Sequence, residues 1–237
     1  MKHKPEQLAF QSVLEHSFRQ RRKAINGYIQ ANREKYIAFA TYIKPDLSSP
    51  SDIYSRIAFA ILSANSPFED SVKALGYAIE CYQRNVDVTA RGLYRFGAFV
   101  PAKAAYVNEL AAKCKAGSAL YKMVSFEAWN DYRLRLRDDV AGLGLCKASF
   151  AASLLYPMSA DLACVDTWLQ KVFLGHSGFR DIGLSAYLKV ECHVRRFARR
   201  HHVSTFLAQW MIWDHARGRG ANNHAIFPGT HKGGLLQ

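Results

Sequence analysis

Acidic residues are scarce in this sequence, and closely spaced cysteines are absent. The 237 residues include 19 Asp plus Glu against 32 Lys plus Arg, a formal charge of +13. So large a surplus favours a polyanionic partner, nucleic acid first and anionic membrane second. The five cysteines (Cys81, Cys114, Cys146, Cys164 and Cys192) are odd in number and scattered, with no CxxC pair. That spacing supports neither a zinc knuckle nor a disulfide framework. An iron–sulfur cluster needs four grouped thiolates, and the last 45 residues hold none. Neither a metal nor another cofactor is expected. No apolar run reaches the roughly 18 residues of a membrane span. The opening MKHKPEQLAFQSVLEHSFRQRRK is charged throughout and lacks a signal-peptide core. A cytoplasmic, nucleoid-associated protein is therefore expected, with no membrane partner.

No stretch alternates as a strand would, and nothing repeats internally. What is present is helical periodicity, with 49% hydrophobic and 13% aromatic residues to supply a core. Residues 5–43 predict one or two helices, carrying Leu8, Val13, Leu14 and Phe18, then Ile25, Tyr28, Ile29, Tyr36 and Ile37. A loop at 44–52 ends at Ser51 or Asp52, either of which would cap the next helix. Ile53 to about Asn65 is apolar on most sides and predicts a central buried helix. Further helices are expected over 68–84, after a break at Gly97–Pro101, over 126–137, and at 165–175, 184–199 and 204–218. The fold class is all-α. The expected organisation is N-terminal helices to residue 52, a helical lobe over 53–165, C-terminal helices over 166–218 and a glycine-rich tail over 219–237.

The stretch richest in chemistry is Val140-Ala-Gly-Leu-Gly-Leu-Cys-Lys-Ala-Ser-Phe. Gly142 and Gly144 fall between two helical patterns, where a tight turn needs residues without a Cβ. Backbone amides there, together with the start of the next helix, can face a phosphate oxygen. About twenty residues on comes Ala163-Cys-Val-Asp-Thr-Trp-Leu, in which Asp166 opens a helix as an N-cap or as a functional carboxylate. Upstream, Ala60-Ile-Leu-Ser-Ala-Asn-Ser puts the Asn65 amide at a helix end, and Arg95-Phe-Gly-Ala-Phe-Val-Pro-Ala-Lys begins a basic helix.

In this order and spacing the four segments resemble the helix-hairpin-helix base-excision DNA glycosylase superfamily, and its archaeal-type 8-oxoguanine branch in particular. The resemblance spans about residues 52–218. It implies a two-lobed helical fold with the active site in the cleft between lobes, acting as a monomer on duplex DNA that holds a damaged or modified base. It implies base flipping, phosphate contacts at the hairpin, and Asp166 as the carboxylate that stabilises positive charge developing on the sugar. Members that also cut the strand carry a lysine two residues after the second hairpin glycine. Here that place is Cys146, and Lys147 follows. Adjacent helical residues point about 100° apart, so either the enzyme is monofunctional and uses water, or a one-residue bulge turns Lys147 inward; the first is the expected case. Relatives often place an acid four residues before the tryptophan matching Trp213, and this chain has Gln209 there.

Arg195, Arg196, Arg199 and Arg200 form a basic run suited to a phosphate track, and Arg19–Lys23 is a second run. His201, His202, His215 and His224 match no metal-ligand spacing. Phe68 is a candidate wedge for the gap left by a flipped base, or a core phenylalanine. Trp213 is a candidate for the base pocket, and its spacing from Trp210 suits core packing. Asn222, Asn223 and His224 could read a base edge. Two rival functions share these features: an enzyme of this scaffold acting on hypermodified viral bases, by excision or by group transfer onto a modified thymine, and a non-catalytic DNA-binding module.

Overall fold

The computed structural model describes residues 5–96, 100–175 and 182–218, without the side chains of 5–18 and Val100. The sequence features at Gly97, in the tail and at Asn222, Asn223 and His224 lie outside the described residues. Ten α-helices are described: α1 (Pro5–Tyr42), α2 (Pro50–Leu62), α3 (Phe68–Arg84), the single turn α4 (Ala90–Leu93), α5 (Val100–Gly117), α6 (Trp129–Asp139), α7 (Leu145–Leu155), α8 (Thr167–Leu174), α9 (Gly183–Arg200) and α10 (Thr205–Ala216). No strand occurs among the described residues.

The long N-terminal periodicity resolves into one helix. Ile25, Ile29, Tyr36, Phe39 and Ala40 are buried along one face of α1, which packs on α10. The Tyr36 hydroxyl donates to Asp214 there. α2 is the central helix, with 11 of its 13 residues buried, and it packs against α3, α5 and α7. Its cap is Ser49, two residues before the position expected. The Ser49 side chain accepts the Asp52 N–H at 3.2 Å, and Pro50 occupies the first turn, where no N–H is needed. Asp52 instead sits at the third helical position, where it accepts the Asp46 N–H at 2.6 Å and pairs with buried Arg56 at 3.2 Å.

The helices fall into two groups. α3, α5 and α7 pack on α2, with α4 against α3 and α5 and with α6 against α7, whereas α1, α8, α9 and α10 pack on one another. The groups meet along a buried polar seam. Arg133 on α6 pairs with Glu191 on α9 at 2.8 Å, both 1% exposed. The Ser149 and Tyr187 hydroxyls bond at 3.0 Å, and Ser153 Oγ donates to the Leu162 carbonyl at 3.3 Å. A cleft opens beside this seam.

Candidate active-site cleft

The α6–α7 hairpin supplies one wall. Gly142 has φ +85°, and a Cβ there would lie 2.4 Å from the Tyr106 ring, so both its backbone and its surroundings require glycine. Gly144 differs from the expectation. Its φ is −81°, and a Cβ would meet nothing within 4 Å. The turn itself therefore places no demand on residue 144. It caps α7 without a side-chain bond and is exposed on the cleft, which leaves the first-turn amides of α7 open to an approaching group.

The second wall is the segment 163–166, delivered to the cleft by three residues far along the chain. The Tyr187 hydroxyl donates to Ala163 O at 2.6 Å, Glu191 accepts the Ala163 N–H at 2.9 Å, and Gln209 accepts the Cys164 N–H at 2.6 Å. Asp166 then caps α8. Its Oδ1 accepts the N–H groups of Trp168 at 3.0 Å and Leu169 at 2.9 Å. One oxygen thus serves the helix, and neither α8 amide engages Oδ2. Burial pushes the Asp166 carboxyl above the usual carboxylate range, against the opposing pull of the Leu169 and Trp168 amides, the Lys147 ammonium and the Trp213 indole N–H.

The lip is the turn after α2. Lys147 Nζ donates to the Ser63 hydroxyl at 3.0 Å and to its carbonyl at 3.3 Å. Lys103, which is 6% exposed, donates to Leu62 O at 2.9 Å and to Ser66 Oγ at 2.7 Å. Burial, and then the Lys147 charge, lower the Lys103 pKa to about 8. Asn65 lies beyond the end of α2, exposed at φ +52°, and lines the cleft. Phe68, Trp210 and Trp213 form an aromatic back wall. Phe68 stands 5.6 Å from Trp213 and 6.2 Å from Trp210, so it is packed rather than projecting as a free wedge. The cavity so enclosed measures about 780 Å³.

The structure thus brings together Gly142, Gly144, Cys146, Lys147, Asn65, Phe68, Trp213 and Asp166 around one cleft. Lys147 reaches it without a bulge. α7 runs as one α-helix from Leu145, and the lysine stem is long enough to carry its ammonium back to Ser63. The expectation that only a shifted helix could turn Lys147 inward is corrected on that ground. Cys146 lines the same cavity, with its sulfur 3.2 Å from that of Cys164. The Cys164 contact lowers the Cys146 pKa, with help from Lys147, while Cys164 is raised.

The arginine run lies elsewhere. Arg195 is drawn onto Asp161, bonding its carbonyl at 2.6 and 2.9 Å and its carboxylate at 3.3 Å. Arg196 and Arg200 border a small depression with Arg22 and His193, between α1 and α9, and Arg199 is exposed. None of the four lines the cleft. The His201 ring bonds Asn26 at 2.9 Å. Among the described residues, no three His, Cys, Asp or Glu side chains group as metal ligands would, and no helix is long and apolar enough to cross a membrane. Tyr187, Glu191, Gln170 and Lys103 are the site residues that sequence reasoning missed.

The arrangement joins an exposed glycine hairpin, a buried carboxylate and a cluster of aromatic rings around one cleft. No protein-family model matches the chain, and no curated protein matches it. Solved structures do. The 8-oxoguanine glycosylase/lyase of Methanocaldococcus jannaschii, in complex with a 15mer DNA containing 8-oxoguanine, superposes with TM-score 0.66 at 16% identity, covering 83% of this chain and 98% of that one. The 8-oxoguanine DNA glycosylase of Thermotoga maritima gives TM-score 0.66 at 16% identity, over 85% and 98%. The chain has the fold of these proteins.

Proposed function

We propose that this chain is a DNA N-glycosylase that removes a damaged or modified base from duplex DNA, with Asp166 as its carboxylate. The observation that carries this reading is the placement of Asp166 Oδ2, free of the helix it caps, in one cleft with the glycine hairpin and the aromatic wall. The likeness to glycosylase structures supports it at the level of fold.

The chemistry follows from the parts. A backbone phosphate approaches Gly144 and the first amides of α7, where no side chain intervenes. The target nucleotide leaves the stack and its base lies against the aromatic wall. As the C1′–N bond lengthens, positive charge grows on the sugar and the Asp166 carboxylate stabilises it. Water then adds its oxygen to C1′, gives up a proton, and the base departs carrying one. Cys146 stands where strand-cutting relatives hold their lysine, which favours water as the nucleophile.

A second reading rests on Lys147, whose ammonium enters the same cleft. Once deprotonated, its amine would attack C1′ and displace the base, which leaves carrying a proton from the attacking nitrogen. The C1′–O4′ bond then breaks, O4′ takes a proton from water, and a protonated imine links Lys147 to the opened sugar. Duplexes carrying 8-oxoguanine, uracil, 5-hydroxymethyluracil, 5-hydroxymethylcytosine or hypoxanthine, treated with protein and then alkali, test the proposal. Strand breaks at one modified site are expected, and Asp166→Asn slows their formation by about 10²–10⁴-fold. No break on any duplex, or full cutting by Asp166→Asn, overturns it. Borohydride trapping through Lys147 would replace the hydrolytic reading with the lyase one. A heavier nucleoside in place of a free base would identify group transfer. Salt-sensitive DNA binding without any product would identify a binding module.

A further inference from the structure

Cys146 and Cys164 are 18 residues apart in the chain and meet in the cleft, with their sulfurs 3.2 Å from each other. A disulfide bond measures about 2.05 Å, so joining the pair takes a shift of about 1 Å. The two partners are held unequally. Cys164 is only 4% exposed, and its backbone is fixed on both sides. Gln209 accepts its N–H at 2.6 Å, and its carbonyl accepts the Asp166 N–H at 2.9 Å. Cys146 is half-buried and borders the open cavity, which leaves its side chain room to turn.

Their reactivities are unequal too. A thiol attacks as its thiolate, and cationic neighbours or a helix N-terminus favour that form. Cys146 is the second residue of α7. Hydrogen bonding from the Cys164 thiol, and then the Lys147 ammonium, lower its pKa. Cys164 is pushed up by the same contact and by burial, so it keeps its proton. One thiol is reactive and open to the cleft, while the other stands beside it and shielded. An attacking and a resolving cysteine need that asymmetry.

We propose that Cys146 and Cys164 form an oxidation site, a dithiol that a small hydroperoxide entering the cleft converts to an intramolecular disulfide. With hydrogen peroxide, the Cys146 thiolate attacks one oxygen. An S–O bond forms, the O–O bond breaks, and the released hydroxide takes up the proton that the thiol shed. The Cys164 sulfur then attacks the Cys146 sulfenic acid. An S–S bond forms, the S–O bond breaks, and the hydroxyl leaves as water with the Cys164 proton. Two thiols lose two electrons in all, and one peroxide becomes two waters. The bond ties the start of α7 to the segment that carries Asp166, one wall of the cleft to the other. Mass and thiol count read it out, so it stands apart from the glycosylase reading.

The full chain is titrated with hydrogen peroxide, alkylated after denaturation, digested and weighed without reduction. The expected products are a protein lighter by two hydrogens and a linked pair of peptides holding Cys146 and Cys164. Dithiothreitol restores both thiols. Cys114, buried with its thiol pushed up to about 12, stays reduced and serves as the reference. Alkylation of both Cys146 and Cys164 after peroxide overturns the proposal, as does a link from either to a different cysteine. So does sulfinic acid at Cys146 that appears ahead of any link, since no resolving step then competes. Variants check the division of roles. In Cys164→Ser, sulfenic acid collects at Cys146 and is captured by dimedone. In Cys146→Ser, Cys164 remains a thiol, and its oxidation at the wild-type rate would overturn the assignment. If neither variant folds, the wild-type peptide map decides alone.

Discussion

Lys103 and Lys147 reach the same helix end from two different helices, α5 and α7. Lys103 donates to Leu62 O and Lys147 to Ser63 O, at successive carbonyls where α2 stops. The last carbonyls of a helix lack internal partners and carry its negative pole, so two ammonium groups stabilise them. Burial, and after it the repulsion from Lys147, appear in Lys103, whose pKa falls to about 8.

Lys103 makes stability depend on alkaline pH in a defined direction. Its folded pKa of about 8 lies below the ordinary 10.5. Between those values the unfolded chain holds a proton that the folded chain has shed, so folding gains stability as pH rises through this window. Lys103→Met is expected to lack that gain. The difference in urea midpoint between wild type and variant, followed across the window, measures it.

Asp166→Asn is expected to lower excision by about 10²–10⁴-fold while leaving the α8 cap intact, since asparagine caps as well as aspartate. The Asp166 pKa is raised by burial. Its contribution to stability is therefore complete below the ordinary carboxylate range and is lost as pH rises through the raised value. At neutral pH the variant melts no lower than wild type. The acid limb of the wild-type pH–rate profile lies above the usual carboxylate range, and a limb within that range would contradict the shift.

The two hairpin glycines separate by assay. Gly142→Ala meets both a positive φ and the Tyr106 ring, and it is expected to cost about 1–3 kcal/mol of stability. Gly144→Ala meets nothing and melts like wild type, yet its methyl stands where a phosphate would approach. Weakened binding to duplex DNA with an unchanged melting temperature is the expected outcome, read by anisotropy and calorimetry.

Glu191→Gln keeps an acceptor for the Ala163 N–H but removes the charge facing Arg133. Leaving a buried guanidinium unpaired costs about 3–5 kcal/mol. Chemical denaturation measures this directly, and excision falls as well because the segment carrying Asp166 loosens.

Gln170 offers the opposite sign. Its Oε1 is buried without a partner, and its NH2 makes only a long bond of 3.5 Å to Val165 O. Gln170→Met removes the unsatisfied acceptor and keeps the helix propensity. A gain of about 1 kcal/mol is expected, or about 2–4 °C in melting temperature for a chain of this size.

Local chemistry explains which parts were legible in the sequence. α3 was bounded correctly at Phe68 and Arg84 because Pro67 starts it and Asn85 ends it at φ +56°. The α2 cap was placed two residues late because Ser51 and Asp52 are as good cap types as Ser49, and only the fold chooses among them. Asp166 was legible as a cap and a candidate acid at once; it caps α8 and lines the cleft, and its acid role is part of the proposed function. Tyr187 and Glu191 carried no local signal, since their meaning lies in bonds to Ala163 that span 24 and 28 residues. Lys147 was misjudged by counting helical angle at the backbone, when a four-carbon stem decides where an ammonium ends.

The Arg133–Glu191 pair also limits how the molecule can move. It joins α6 to α9 across the two groups of helices, with both side chains sealed from water. Swinging the groups apart like a hinge would undo more than this pair: the Ser149–Tyr187 bond and the ring contacts of Trp210 with Phe150 and Phe68 span the same seam. Opening therefore means exposing packed apolar surface as well as parting two charges, and that surface opposes it. The seam acts as a clasp, and the Ser63–Pro67 turn, which lines the cleft without belonging to a helix, is the part of its rim that can shift at least cost.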